Sequence, residues 1–188
     1  MLCCPITTQI GVSACLLGEP VRYDGGHRRD PYVCAELARQ LRLVPICPEL
    51  QIGLGVPRRP ICLVLTGQGV RVRDSRDPGN PELDITEAFT RLADRLAPLL
   101  ARLSGYVFKS GSPSCGVRGV EFREGAGGHP SVAAGAFARL VMDRYPWLPV
   151  IDERELADPL KRRRFLQRVF SLQPGEVPAS HHGSAKTR

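Results

Sequence analysis

The 188-residue chain reads as a single α/β domain of three layers, Rossmann-like, with a mainly parallel sheet. Three observations predict this. Short apolar runs at 10–14, 43–46, 106–108 and 148–151 alternate with amphipathic stretches of helical period. Asp30-Pro31 and Asp158-Pro159 each pair an N-cap residue with a first-turn proline, so two helix starts are marked. The length suits one core of ordinary size.

In chain order, Ile10-Gly11-Val12-Ser13-Ala14 is the first strand, with Cys15 at its carboxyl end. The stretch from Leu16 to His27 is a structured loop by its Gly, Pro and Asp content. A helix follows the Asp30 cap, with Val33, Leu37, Ala38 and Leu41 on its apolar face, and ends near Arg42. Leu43-Val44-Pro45-Ile46 is a second strand with Cys47 at its end; Pro45 weakens the assignment because proline cannot donate to a ladder. Gly53 and Gly55 do not complete a Gly-x-Gly-x-x-Gly pattern, since position 58 is Arg, and this excludes a dinucleotide fingerprint. Residues 61–66 and 70–73 form a hairpin through Gly67-Gln68-Gly69.

Asp84 and Glu87 have capping-box spacing. Behind them Ile85, Phe89, Leu92, Leu96, Leu99, Leu100 and Leu103 form a core-facing stripe, which Pro98 kinks or ends early. The strand Tyr106-Val107-Phe108 runs into the loop Lys109-Ser110-Gly111-Ser112-Pro113-Ser114-Cys115-Gly116. Further on, the pattern predicts a strand over 117–123, a mobile Gly-rich segment over 124–131, a helix over 133–145, a strand over 148–151 and a helix over 158–170. The domain is expected to span residues 1–172. Residues 173–188 lack apolar periodicity and read as a disordered tail.

Apolar content of 43% and charged content of 24% are those of a soluble globular protein. No run approaches the ~18 apolar residues of a membrane span, and the start lacks a secretory pattern, so a cytoplasmic location is expected. The net charge of +7 favours anionic ligands, nucleic acid included. Its basic runs, Arg58-Arg59, Arg71 to Arg76 and Lys161 to Arg168, read individually as solvated faces. Aromatic content is only 6% and does not interleave with the basic residues, which argues against a single-strand nucleic-acid platform. Nothing in the sequence sets an oligomeric state.

Seven cysteines, an odd count without a secretory signal, argue against a disulfide framework. The absence of Cys-x-x-Cys excludes a zinc ribbon or a thioredoxin-type motif. Cys34 and Cys62 fall inside predicted elements and suit buried core positions; Cys3 and Cys4 read as incidental. Cys15, Cys47 and Cys115, by contrast, each follow a predicted strand. If those strands are parallel neighbours, the three thiols meet at the edge where α/β sheets bind ligands. Three chemistries fit: zinc with an open position, an iron–sulfur cluster with one iron left free, or a metal-free Cys115 nucleophile with His27 or His129 as base.

Several segments together resemble the DUF523 family, which includes thiouracil desulfidases. They are Val12-Ser13-Ala14-Cys15-Leu16-Leu17-Gly18, Arg22-Tyr23-Asp24-Gly25, Cys47-Pro48-Glu49, Gly53 to Arg58, Lys109 to Gly116, and Gly135-Ala136-Phe137-Ala138. The resemblance runs from about residue 9 to 171. It implies a 4Fe-4S cluster on Cys15, Cys47 and Cys115, with one iron not ligated by protein. It also implies polar or acid–base roles for Glu49 and Ser110, and for Asp24, which an Asx-turn could equally occupy. The implied activity is hydrolytic, non-redox removal of sulfur from a thiolated pyrimidine such as 2-thiouracil. The implied partner is a small thiolated base, with thiolated RNA as a second candidate. The rival class is a cluster- or zinc-containing RNA-binding module without turnover. Lys161 to Arg164 is more basic than the family pattern.

Overall fold

The computed structural model describes residues 8–124 and 131–172. Its first half contains β1 (Gln9–Ser13), a 3-10 turn (Ala14–Leu17), a π turn (Val33–Leu37) continuing into α1 (Ala38–Gln40), β2 (Arg42–Ile46), α2 (Pro48–Gln51), β3 (Ile61–Thr66) and β4 (Gly69–Asp74). Its second half contains α3 (Thr86–Arg95), α4 (Ala97–Leu100), β5 (Gly105–Phe108), β6 (Val120–Glu124), β7 (Ser131–Ala133), α5 (Ala136–Arg144), β8 (Val150–Asp152), α6 (Glu153–Leu156) and α7 (Pro159–Ser171).

The central sheet has the order β2-β1-β5-β8, and every pair in it is parallel. The α/β class and the parallel sheet are therefore as the sequence predicts. Pro45 sits on β2, an edge strand, where a missing N–H is tolerated. The chain leaves β1 for β2 on one side and fills the other side with β5 and β8. The strand order thus reverses at β1, and the carboxyl ends of β1 and β5 flank the crevice that such a reversal opens.

Alternating side chains on buried strands send apolar residues to both faces. Tyr106 and Phe108 pack with Phe89, Leu92, Phe137 and Val141 on one face. Val107 packs with Ile10, Val12, Leu37, Phe165 and Val169 on the other. The first face is shared with a second sheet, ordered β4-β3-β6-β7, which contributes Leu63, Val72 and Val120. In it β3 and β6 are parallel, while β3–β4 and β6–β7 are antiparallel. Strand–helix alternation does not announce this second sheet, because the hairpin pairs with a strand more than fifty residues away.

Some element boundaries differ from expectation. The helix expected over 133–145 begins at Ala136, since Ser131–Ala133 pairs with β6 and Gly135 takes an extended conformation. The strand expected from 117 begins at Val120, after a left-handed turn at Gly119. Helix α3 ends at Arg95 and restarts as α4 with Pro98 in its first turn, the break foreseen for that proline. Asp30 caps its helix through the Val33 N–H, and Asp158 caps α7 through the N–H groups of Leu160 and Lys161. The Gly-rich segment 125–130, with His129, and the tail 173–188 lie outside the described residues, as do Cys3 and Cys4. No described helix is long and apolar enough to cross a membrane.

Candidate active site

A cavity of about 350 Å³ opens at the carboxyl edge of the central sheet. Cys15, Cys47 and Cys115 all line it, with Glu49, Ser110 and Ser114. Cys15 lies in the 3-10 turn after β1, Cys47 is the residue before α2, and Cys115 closes the serine-rich loop after β5. Cys34 and Cys62 do not line the cavity. Cys34 instead points its thiol at the Leu16 carbonyl from the π turn.

The serine-rich loop is fixed by the start of α5. The N–H groups of Ala136, Phe137 and Ala138 donate to the carbonyls of Pro113 and Ser114, so helix-end donors without intrahelical partners are satisfied by the loop itself. The approach is close. A side-chain carbon at Gly135 would stand 2.7–2.8 Å from backbone atoms of Ser112 and Ser114. This gives the Gly135-Ala136-Phe137-Ala138 segment a physical reason. Within the loop, Ser112 Oγ accepts from the N–H of Cys115, and Gly111 takes the left-handed turn at φ 65°.

Burial pushes the Cys15 thiol up to about 11, partly offset by Lys109 and Arg22. Burial likewise raises Cys47, against backbone N–H groups of Leu50 and Glu49 that favour its thiolate. Cys115 is raised furthest, again by burial, with the hydroxyls of Ser13 and Ser114 favouring its charged form. Three thiols raised by burial, two of them with hydrogen-bond donors at their sulfurs and the third near the charges of Lys109 and Arg22, suit ligation of a cation, which deprotonates a thiol outright. Soft thiolates around a cavity suit iron–sulfur chemistry, in which each cysteine takes a different iron. Among the described residues, no group of three or more His, Cys, Asp or Glu side chains is arranged to hold a metal ion as it stands. The three sulfur donors thus line one cavity without closing on a single point, and in type they suit a cluster.

Glu49 projects into the cavity from the first turn of α2. Arg58 donates to its Oε2 from Nε at 2.8 Å and from Nη2 at 2.7 Å, and Ser114 Oγ donates to its Oε1 at 2.7 Å. Arg58 is 8% exposed and also donates to the Val21 and Gly55 carbonyls. The reading of Arg58 as part of a solvated basic face is therefore corrected: it is a buried partner of the site. Besides Arg58, the lining cations are Arg22, Arg28, Lys109 and Arg154, and Glu49 is the one carboxylate among the described lining residues.

Ser110 is held by a residue that sequence reasoning missed. Glu153 opens α6 directly after β8 and accepts from the Ser110 hydroxyl at 2.6 Å and from the Ser110 N–H at 2.8 Å. Lys109 Nζ bridges the same carboxylate and Ser110 Oγ. Burial raises the Glu153 pKa, but hydrogen bonds from Lys109 and Ser110 outweigh it and leave the carboxyl below its ordinary range. The available signal was positional: β8 is a fourth parallel strand, and its carboxyl end also carries an acidic residue. Asp24 stands apart from this group. It is exposed, accepts from the Gly26 N–H in an Asx-turn and pairs with Arg22. His27 Nδ1 accepts from the Arg29 N–H and does not line the cavity.

The sequence model of the 2-thiouracil desulfurase family matches residues 10–153, which include every one of these side chains. The chain belongs to that family. A solved structure of a 4Fe-4S-dependent thiouracil desulfidase, TudS (DUF523Vcz), is similar at 31% identity with a TM-score of 0.61. The match covers 84% of this chain and 98% of that one. No curated protein sequence matches significantly.

Proposed function

We propose that the chain is a desulfidase that replaces the sulfur of a thiolated pyrimidine such as 2-thiouracil with oxygen from water, and releases sulfide without net redox change. The observation that carries this reading is the meeting of three strand-end thiols, Glu49 and Ser110 around one cavity. Cys15, Cys47 and Cys115 are assigned as ligands of a 4Fe-4S cluster. When bound, such a cluster supplies a Lewis-acidic iron without a protein ligand, suited to a thiocarbonyl sulfur.

The chain's own groups handle water and protons. A carboxylate has about four lone-pair sites. Arg58 occupies Oε2 of Glu49 and Ser114 one site of Oε1, so one site on Oε1 remains for a water proton. Glu49 thereby orients water toward the thiocarbonyl carbon, takes one proton as the C–O bond forms and returns it to the departing sulfide. The second water proton passes to solvent as the carbonyl forms and the C–S bond breaks, so that HS⁻ leaves. Arg22, Arg28 and Arg154 favour the negative charge that develops there. Ser110 contacts the substrate. Asp24 keeps Arg22 and its loop at the cavity edge.

The test is anaerobic turnover of 2-thiouracil by cluster-loaded protein, following loss of thiocarbonyl absorbance and release of sulfide. One sulfide per uracil supports the reading. A full cluster with no sulfide from any thiolated base, nucleoside or tRNA, together with RNA binding that weakens steeply with salt, establishes the non-catalytic RNA module instead.

A further inference from the structure

The hydrogen bonds around Ser110 fix which way its hydroxyl works. A serine hydroxyl has one proton and two lone pairs. Its proton goes to Glu153 Oε1 at 2.6 Å, and one lone pair accepts from Lys109 Nζ at 3.0 Å. Neither contact can reverse, because a carboxylate has no proton to give and an ammonium has no lone pair. The backbone is clamped the same way, with the Ser110 N–H on Glu153 Oε2 and the Ser110 carbonyl on Lys109 Nζ. One lone pair remains on an oxygen whose residue lines the cavity.

We propose that Glu153 is a positioning residue that turns Ser110 into an obligate hydrogen-bond acceptor, and that Ser110 selects substrates bearing a ring N–H beside the sulfur-carrying carbon. This deepens the desulfidase reading and rests on it for the identity of the ligand. In a thiolated pyrimidine the thiocarbonyl carbon is flanked by ring nitrogen, so a donor lies next to the reacting bond. A site that accepts from that N–H rejects a molecule lacking it, since its own buried oxygen is left unpaired. Glu153 itself does not line the cavity and acts through Ser110. Lys109 completes the clamp, and its charge is matched by the same carboxylate.

The test compares uracil, the sulfur-free product, with two analogues methylated singly at either ring nitrogen flanking the former thiocarbonyl carbon. Equilibrium binding to cluster-loaded wild type, Ser110→Ala, Glu153→Gln and Glu153→Asp is measured by calorimetry, with iron content and melting temperature recorded for each. One N-methyl analogue should bind wild type about tenfold more weakly than uracil, the scale of one lost hydrogen bond. The preference should collapse in Ser110→Ala. Glu153→Gln keeps an amide oxygen for Ser110 Oγ and Lys109 Nζ but loses the acceptor of the Ser110 N–H, so there the preference should fall only in part. Glu153→Asp keeps the acceptor and should restore part of the preference. Equal binding of uracil and both analogues to wild type overturns the proposal, as does an undiminished preference in Ser110→Ala, which does not depend on how the Glu153 variants fold. These outcomes are read without turnover, so they stay separate from failure of the enzyme to release sulfide.

Discussion

The two sheets of this protein use the same charged residue types to opposite ends. On the second sheet, Arg71 and Arg73 of β4 converge on Asp84, which also accepts the Thr86 N–H at the start of α3. Arg73 further donates to the Pro78 and Gly79 carbonyls. The groups are spent on one another, and what they achieve is attachment of the hairpin to α3. At the edge of the central sheet the pairing is as dense but incomplete. Glu49 keeps an acceptor site beside Arg58 and Ser114, Ser110 keeps a lone pair beside Lys109 and Glu153, and three thiols raised by burial line the same cavity. A closed network reports structure, whereas a network with one bond left open toward a cavity reports chemistry.

The largest effect is expected where the open valence belongs to a proton carrier. Glu49→Gln keeps the shape and removes the base, so turnover of 2-thiouracil should fall by about 10²–10⁴-fold, while iron content stays at the wild-type level. Equal rates would remove Glu49 from proton transfer and leave the reaction class standing.

Backbone packing sharpens the contrast next. Gly135→Ala forces a carbon against fixed backbone of the serine-rich loop, and overpacking of this kind destabilises by about 1–3 kcal/mol. Melting temperature and iron occupancy should drop together, because the same loop carries Cys115. Gly67→Ala, in the hairpin turn, meets nothing within 4 Å and should change neither. A stable, fully loaded Gly135→Ala protein would show that the loop is not set by α5.

The closed network should answer to acid. Burial raises the Asp84 pKa, but hydrogen bonds from Arg71 and Thr86 prevail and bring it to about 2. Because the folded value lies below the unfolded one, ionised Asp84 favours the folded state at neutral pH. That contribution fades as pH falls through the folded value. Asp84→Asn should therefore be less stable than wild type by about 1–2 kcal/mol at pH 7, and the gap in urea unfolding should narrow below about pH 4. A gap independent of pH would assign the loss to packing.

The smallest effect is expected from the tail. We propose that residues 1–172 form the working domain, so deletion of 173–188 should leave melting temperature and iron content unchanged. A large fall in either would place the tail on the domain.

The open site was more legible in the sequence than the closed network, for a physical reason. Strand period and helix caps locate strand ends, and parallel pairing carries those ends to one edge, so Cys15, Cys47 and Cys115 could be grouped by position along the chain. Glu49 and Ser110 were pointed to by the family resemblance of the segments that carry Cys47 and Cys115. Glu153 was hidden because it serves Ser110 through a contact 43 residues away. Arg58, Arg71 and Arg73 were read as solvated because a charge run looks alike whether its partners are water or carboxylates. The second sheet was hidden for a related reason: β3 pairs with β6 across the whole of α3, α4 and β5, and short-range pattern does not encode that choice.

The central claim is that the three strand-end thiols together hold the cluster, and iron and acid-labile sulfide analysis of anaerobically loaded single variants tests it most directly. Cys15→Ala, Cys47→Ala and Cys115→Ala should each lose most of their iron, along with the broad visible absorption of the cluster. Cys34→Ala and Cys62→Ala should load like wild type. Full iron occupancy in Cys47→Ala would contradict the three-ligand assignment.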